Sequence, residues 1–326
     1  MTAARALLPR LRGLASAAGS NLRASPQAAA PVVFDRHAKA LQRSRAAGHP
    51  NARAADYLKD EVASRVVDRI LDIKRRYPAI VDLGAGAGHI VKHLDTDITS
   101  KVVMCDMSRE LLYRDTDLDA TREVPVERVV LDEESSLAKH FAPDSLDMVV
   151  SNLSLHWVND LPGTLIQTRQ CLKPDGVFIG AMLGGDSLFE LRTSLQLAEL
   201  EREGGVSPRV SPMTVTADMA SLLSRAGFTL TTVDVDEIIV DYPSAYDLVD
   251  DLRAMGESNA VGLRRPHMHR DTLAAAAEIY RAMHGNPDGS VPATFQIIYL
   301  IGWKPADSQP KPAKRGSGRV NLKEVL

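Results

Sequence analysis

Cysteine is nearly absent from this 326-residue chain. Its two residues, Cys105 and Cys171, are too few for a disulfide framework and fit a reducing compartment. No apolar stretch is long and unbroken enough to read as a membrane span. There is no internal repeat. A formal charge of −3 gives no global basic signature of a nucleic-acid binder. What is present is ordinary for a globular protein: 44% hydrophobic and 25% charged residues, enough chain for one large domain or two small ones.

Acidic residues are also missing from the N-terminus, where the first is Asp35. Residues 1–30 hold Arg5, Arg10, Arg12 and Arg23 among alanine, leucine and serine, with Leu7, Leu8, Leu11 and Leu14 at helical spacing. An amphipathic, arginine-rich, acid-free leader is the pattern of a mitochondrial transit peptide, and the arginines break up the continuous apolar core that a secretory signal needs. A disordered basic tail is the alternative. Taking those four positive charges from the total of −3 leaves −7, so the remaining body is acidic. The expected organisation is a transit peptide at 1–30, a domain at 31–303 with substrate-side insertions in 186–290, and a flexible basic tail at 304–326.

Residues 31–52 are polar. In 54–76, Leu58, Val62, Val66, Ile70 and Ile73 recur at helical spacing and predict a helix ended by Pro78. Short apolar runs at 79–83, 101–105, 126–131, 146–151 and 176–182 predict five strands, with helical stretches between them, clearest at 161–172. Residues 186–203 and 216–226 predict two more helices, and 228–240 and 294–303 a closing antiparallel pair around a long insertion. Alternating strands and helices imply an α/β fold with a mostly parallel sheet covered on both faces.

The segment Val81-Asp82-Leu83-Gly84-Ala85-Gly86-Ala87-Gly88-His89 follows the first strand and is expected to open a helix. A dinucleotide fingerprint reads G-x-G-x-x-G. Here His89 stands at its last position, where a side chain would obstruct helix–strand packing, and the third glycine is Gly88. The pattern G-x-G-x-G with an acid just upstream resembles motif I of the class I methyltransferases, which implies a Rossmann-like seven-stranded sheet and the cofactor S-adenosyl-L-methionine. Asp82 is placed to hold the ligand's ammonium group. Asp106, closing the second strand with Met107 after it, can accept hydrogen bonds from both ribose hydroxyls. Asp132 closes the third strand, where the superfamily commonly contacts the adenine amine. Asn152 and Leu153 follow the fourth, near the methyl-donor end. With Gly84, Ala85, Gly86 and Gly88, these residues lie at or beside the carboxyl ends of successive strands, where open α/β sheets bind ligands.

Longer motifs sharpen the resemblance. They include Tyr57-Leu58-Lys59-Asp60-Glu61-Val62, Ser151-Asn152-Leu153-Ser154-Leu155-His156-Trp157-Val158-Asn159-Asp160-Leu161-Pro162 and Leu183-Gly184-Gly185-Asp186. Met255-Gly256-Glu257-Ser258-Asn259-Ala260 and Arg264-Arg265-Pro266 continue the set. Together they resemble the mitochondrial complex I assembly-factor family of methyltransferase type, from about Phe34 to Trp303. The resemblance implies a protein arginine hydroxylase. It would act on a core subunit of the quinone-binding module, beside other assembly factors, on the matrix face of the inner membrane. A more distant likeness is to malonyl-[acyl-carrier protein] O-methyltransferases. The segment Val261-Gly262-Leu263 departs from the family, which carries an aromatic residue and an asparagine there.

No unambiguous general base is legible. His267, His269 and Asp271 have the composition of an iron site, but three arginines lie beside them and a polar loop is the expected reading; no metal is expected. Asp186, Asn259, Arg192 and Arg264 are substrate candidates, Asp186 equally readable as a helix N-cap. Trp157 reads as core. An O-methyltransferase acting on an acyl-carrier-protein thioester and a non-catalytic assembly chaperone stay open as alternatives. Lys311, Lys314, Arg315 and Arg319 could give peripheral contact with anionic lipid.

Overall fold

The computed structural model describes residues 32–311 and 315–317. The transit-peptide reading, and Lys314 and Arg319 of the basic tail, lie outside the described residues.

Seven strands form one sheet: β1 (Ile80–Leu83), β2 (Val102–Asp106), β3 (Val126–Val130), β4 (Leu146–Asn152), β5 (Leu172–Leu183), β6 (Thr229–Tyr242) and β7 (Val291–Trp303). Their order is β3-β2-β1-β4-β5-β7-β6, with β1 to β5 parallel and β7 antiparallel between β5 and β6. The helices are α1 (Arg36–Ala47), α2 (Tyr57–Leu71), α3 (Arg109–Leu112), α4 (Leu137–His140), α5 (Leu161–Cys171), α6 (Phe189–Glu203), α7 (Thr216–Ala226), α8 (Ala245–Ala254) and α9 (Arg270–His284).

The strands β1 and β2 are buried throughout, as parallel strands covered on both faces are. Alternation sends Ile80 into a core with α2, α6, α8 and α9, while Val81 and Leu83 enter a second core with α5 and α7. Helix α2 owes its placement to Leu58, Val62, Val66 and Ile70, one apolar stripe that is almost fully buried. Near its start β5 shifts register against β4, where Asp175 lies in the left-handed region. The insertion between β6 and β7 folds as α8 and α9.

One element goes unread and two expectations fail. The polar stretch 31–52, for which the sequence predicts no element, contains α1, whose buried residues are Lys39, Arg43 and Ala46 instead of an apolar stripe. The glycine loop leads into a single 3-10 turn at Ile90–His93, not a regular helix. Asp186 does not cap α6: the chain enters that helix through Leu188 in the left-handed region. Asp186 instead accepts a hydrogen bond from Gln296 Nε2 at 2.9 Å.

Candidate functional site

The sheet order reverses between β1 and β4, so their carboxyl ends open the crevice where α/β sheets take ligands. Gly84 and Ala85 donate their N–H groups to the Cys105 carbonyl at 2.8 and 2.9 Å, turning the chain sharply after β1. A Cβ on Gly84 would stand 2.0 Å from Ser154 Oγ. Gly88 has φ +91° and lies against β2, where a Cβ would meet Met104 Cε at 2.8 Å. The close approach expected of the third glycine is therefore made by Gly88. His89 does not obstruct it, because its ring turns to α2 and bonds Asp60 through Nδ1 at 2.7 Å.

Asp82 lies at the head of this cradle, 1% exposed, and neither carboxylate oxygen has a hydrogen-bond partner among the described residues. Burial, reinforced by the nearby Asp106 charge, pushes its carboxyl up to about 8. Asp106 accepts from Gly86 N at 3.0 Å and Ser108 N at 2.8 Å. Met107, Leu131 and Asp132 line an open cavity of about 350 Å³ beyond the ends of β2 and β3. Asn152 donates to the Lys59 carbonyl at 2.9 Å, while its Oδ1 has no partner among the described residues. Leu153 follows with φ +49° and faces a second cavity.

Helix α1 lays a row of cations over these acids. Arg36 binds Asp132 at 2.6 Å and Glu133 at 3.1 Å. Burial alone would raise the Asp132 pKa, but Arg36 outweighs it and holds the carboxyl below its ordinary value. Arg43 approaches Asp106 only loosely, at 3.3 Å, and donates to Ser154 Oγ at 2.8 Å. Lys39 donates to the carbonyls of Gly256 and Ser258 at 3.1 and 2.7 Å and stands 3.4 Å from the centre of the Trp157 ring. Three of these residues recur at i, i+3 and i+7, a cationic stripe at helical spacing that was available in the sequence.

The second cavity, about 330 Å³, lies between α2, α6, α8 and the loop after α8. Its walls are mostly leucine, valine, methionine and Phe295. Glu257 lies in its lining, accepting from Trp157 Nε1 at 2.7 Å and pairing with Lys59 at 3.2 Å. Burial works to raise the Glu257 pKa, yet Lys59, His156 and Lys39 hold it well below the ordinary range, so it is a carboxylate. Trp157 is core, as expected, and also lines this cavity. Asn259 and Arg264 line it too. Asp186 and Arg192 do not; Arg192 folds back onto the Gly185 carbonyl at 3.1 Å and braces the entry to α6. Among the described residues no three His, Cys, Asp or Glu side chains are grouped to hold a metal ion. No described helix is long and apolar enough to cross a membrane.

The family description "methyltransferase domain" matches residues 54–233. A zebrafish (Danio rerio) protein named arginine-hydroxylase NDUFAF5, mitochondrial, is 50% identical over 293 residues, covering 90% of this chain and 89% of its own. The chain belongs to the arginine-hydroxylase NDUFAF5 family. It carries a methyltransferase-superfamily domain. A malonyl-[acyl-carrier protein] O-methyltransferase from Gallionella capsiferriformans is 31% identical, covering 84% of this chain and 92% of the relative. The crystal structure of the YcgJ protein from Bacillus subtilis shares the fold, with a TM-score of 0.51 at 15% identity over 74% of this chain and 98% of that one.

The residues present fit S-adenosylmethionine. A buried carboxylate with no partner suits an ammonium group, and the glycine turn leaves backbone space where a Cβ would clash. Asp106 keeps two backbone donors and only a long contact with Arg43.

Proposed function

We propose that this protein binds S-adenosylmethionine at the ends of β1 to β4 and modifies an arginine side chain of a core subunit of respiratory complex I. It works in mitochondria, at the matrix face of the inner membrane, beside other assembly factors. By the names of its relatives the modification is hydroxylation.

One arrangement carries the reading: a buried acid, Asp82, lies on the strand beside β4, an almost buried one, Glu257, shares a cavity with Leu153, and each suits a cation. Asp82 lacks a partner on the cradle side, and Glu257 lines the apolar cavity on the other. In this reading Asp82 takes the cofactor's ammonium, Asp106 its ribose hydroxyls, and Met107 and Asp132 border its adenine. Gly84, Ala85, Gly86 and Gly88 supply the cradle, and Asn152 and Leu153 separate cofactor from substrate. When bound, the cofactor would supply a sulfonium with an activated methyl group, which is not an oxidant; hydroxylation would need dioxygen and a two-electron reductant supplied from outside this chain. The chain's own part is to exclude water and fix the arginine. Its methylene stem lies along the aliphatic wall, and its guanidinium meets Glu257 in place of the Lys59 ammonium.

Calorimetric titration of the full chain with S-adenosylmethionine tests the first half; saturable binding lost in Asp106→Ala is expected, and no binding by folded wild type refutes it. Mass spectrometry of complex I subunits from cells lacking the protein tests the second. An arginine bearing one added oxygen should disappear and return with wild type but not with Glu257→Gln. A second reading, methyl transfer to a malonyl carboxylate, draws on the 31% identical relative. It requires methyl incorporation into malonyl-acyl-carrier protein, and an unlabelled product removes it.

A further inference from the structure

The cavity beside Leu153 is unevenly charged. Its lining holds one acid, Glu257, against Lys59, Arg209, Arg253, Arg264 and Arg265. The acids that hold the four arginines stand outside the lining. Glu199 binds Arg209 Nε at 2.6 Å, Asp35 binds Arg264 at 3.3 Å, Asp250 binds Arg253 at 2.8 Å, and Glu203 pairs with Arg265. Each guanidinium is therefore held by a carboxylate that is not among the residues lining the cavity.

Arg209 is the most constrained. Its side chain is 10% exposed. Nη1 donates to the His267 carbonyl at 3.1 Å, and Nη2 is buried with no acceptor among the described residues. Glu199, wholly buried, also takes Ser207 N at 2.6 Å and Ser207 Oγ at 2.8 Å, so the loop carrying Arg209 is pinned at the same point. A buried donor left without an acceptor is unfavourable, and a fixed guanidinium presents a planar fork matched to a carboxylate.

We infer that these arginines are a receptor for carboxylates: the substrate protein presents acidic side chains next to the residue inserted toward Glu257. Resting on the arginine-substrate reading, this adds the charge pattern that selects the target. Each arginine's charge is already offset by its own acid, so a lone arginine side chain would gain only Glu257, whereas an arginine flanked by glutamate or aspartate would also meet donors those acids leave free, Arg209 Nη2 among them.

The test uses the full chain with saturating S-adenosylmethionine and two labelled synthetic peptides. Each has one central arginine, flanked by glutamates in one and by glutamines in the other, and binding is read by fluorescence anisotropy. The glutamate peptide should bind at least about ten-fold tighter, and the preference should shrink as salt rises. Arg264→Gln/Arg265→Gln, at partly exposed positions, should abolish most of the preference and its salt dependence while the S-adenosylmethionine titration stays unchanged. Arg209→Lys, which keeps the charge but loses the fork, should weaken the glutamate peptide alone. Equal affinity for the two peptides, or a preference that survives in the double variant, overturns the inference. A glutamate preference without any arginine product leaves the mouth assigned and removes the proposed reaction. Arginine product formed equally from both peptides does the reverse.

Discussion

Asp82→Asn separates the ligand-free and ligand-bound demands on one buried acid. In the unfolded chain this carboxyl titrates near 3.8, and in the fold burial pushes it up to about 8. The folded protein thus holds a proton that the unfolded chain releases between these values, and ligand-free stability falls as pH rises through that window. At pH 7 the span is roughly three pH units at about 1.4 kcal/mol each, an upper bound of about 4 kcal/mol against folding. Asparagine removes the titration while keeping the shape. The ligand-free variant should gain about 2–4 kcal/mol over wild type at pH 7 and little at pH 4. Denaturant midpoints measured across pH check this. The same variant should lose S-adenosylmethionine binding, because the ammonium then meets a neutral amide. In wild type, binding near pH 7 should release about one proton, readable as a dependence of calorimetric heat on buffer ionisation enthalpy. Parallel pH–stability curves for wild type and variant would show that Asp82 titrates normally in the fold and would sink the reasoning.

Other outcomes follow from neighbouring geometry. Gly88→Ala forces a Cβ to within 2.8 Å of Met104 Cε at a left-handed position. A loss of about 1–3 kcal/mol in thermal denaturation, with weakened cofactor binding, is expected. Glu257→Gln strips the counter-charge from Lys59 and Lys39 and should lower stability by about 3–5 kcal/mol, while the cofactor titration persists at low temperature. The Asp60 carboxyl, raised by burial but held down to about 2 by His89 and Lys92, contributes stability above pH 4 that is lost as pH falls toward 2. Asp60→Asn should therefore cost about 1 kcal/mol at neutral pH, after discounting for its partial exposure, and make acid unfolding shallower.

The sheet was legible because its signals are local: buried apolar runs, a glycine turn after the first, and acids after the next two. The arrangement around Glu257 was not. An acid in the Met255–Ala260 segment reads as solvated until folding sets Trp157, His156 and Lys59 around it. Helix α1 escaped notice because the residues it buries include Lys39 and Arg43, so a search for apolar periodicity finds nothing where the burial is electrostatic. Asp186 looked like a cap because acids often precede helices. The backbone instead reaches α6 through Leu188, and Gln296 on β7 takes the carboxylate. Arg192 sits on the expected helix but is spent on the Gly185 and Ser187 carbonyls, a short-range contact that residue type does not foretell.

The docking of α1 also limits how far the N-terminus could be trimmed. Asn159 Oδ1 accepts the backbone N–H groups of Val33 and Phe34, and the Phe34 ring stacks edge-on against Trp157. Asp35 caps α1, and Arg36, one residue on, reaches the acids beyond β3. A protease that removes a leader must cut upstream of Val33, since trimming three or four residues further would unfasten the helix and leave Asp106, Asp132 and Glu133 without their cations. If the proposed leader is removed, the folded domain itself limits where that cut can fall, and an N-terminus mapped by mass spectrometry should lie before Val33.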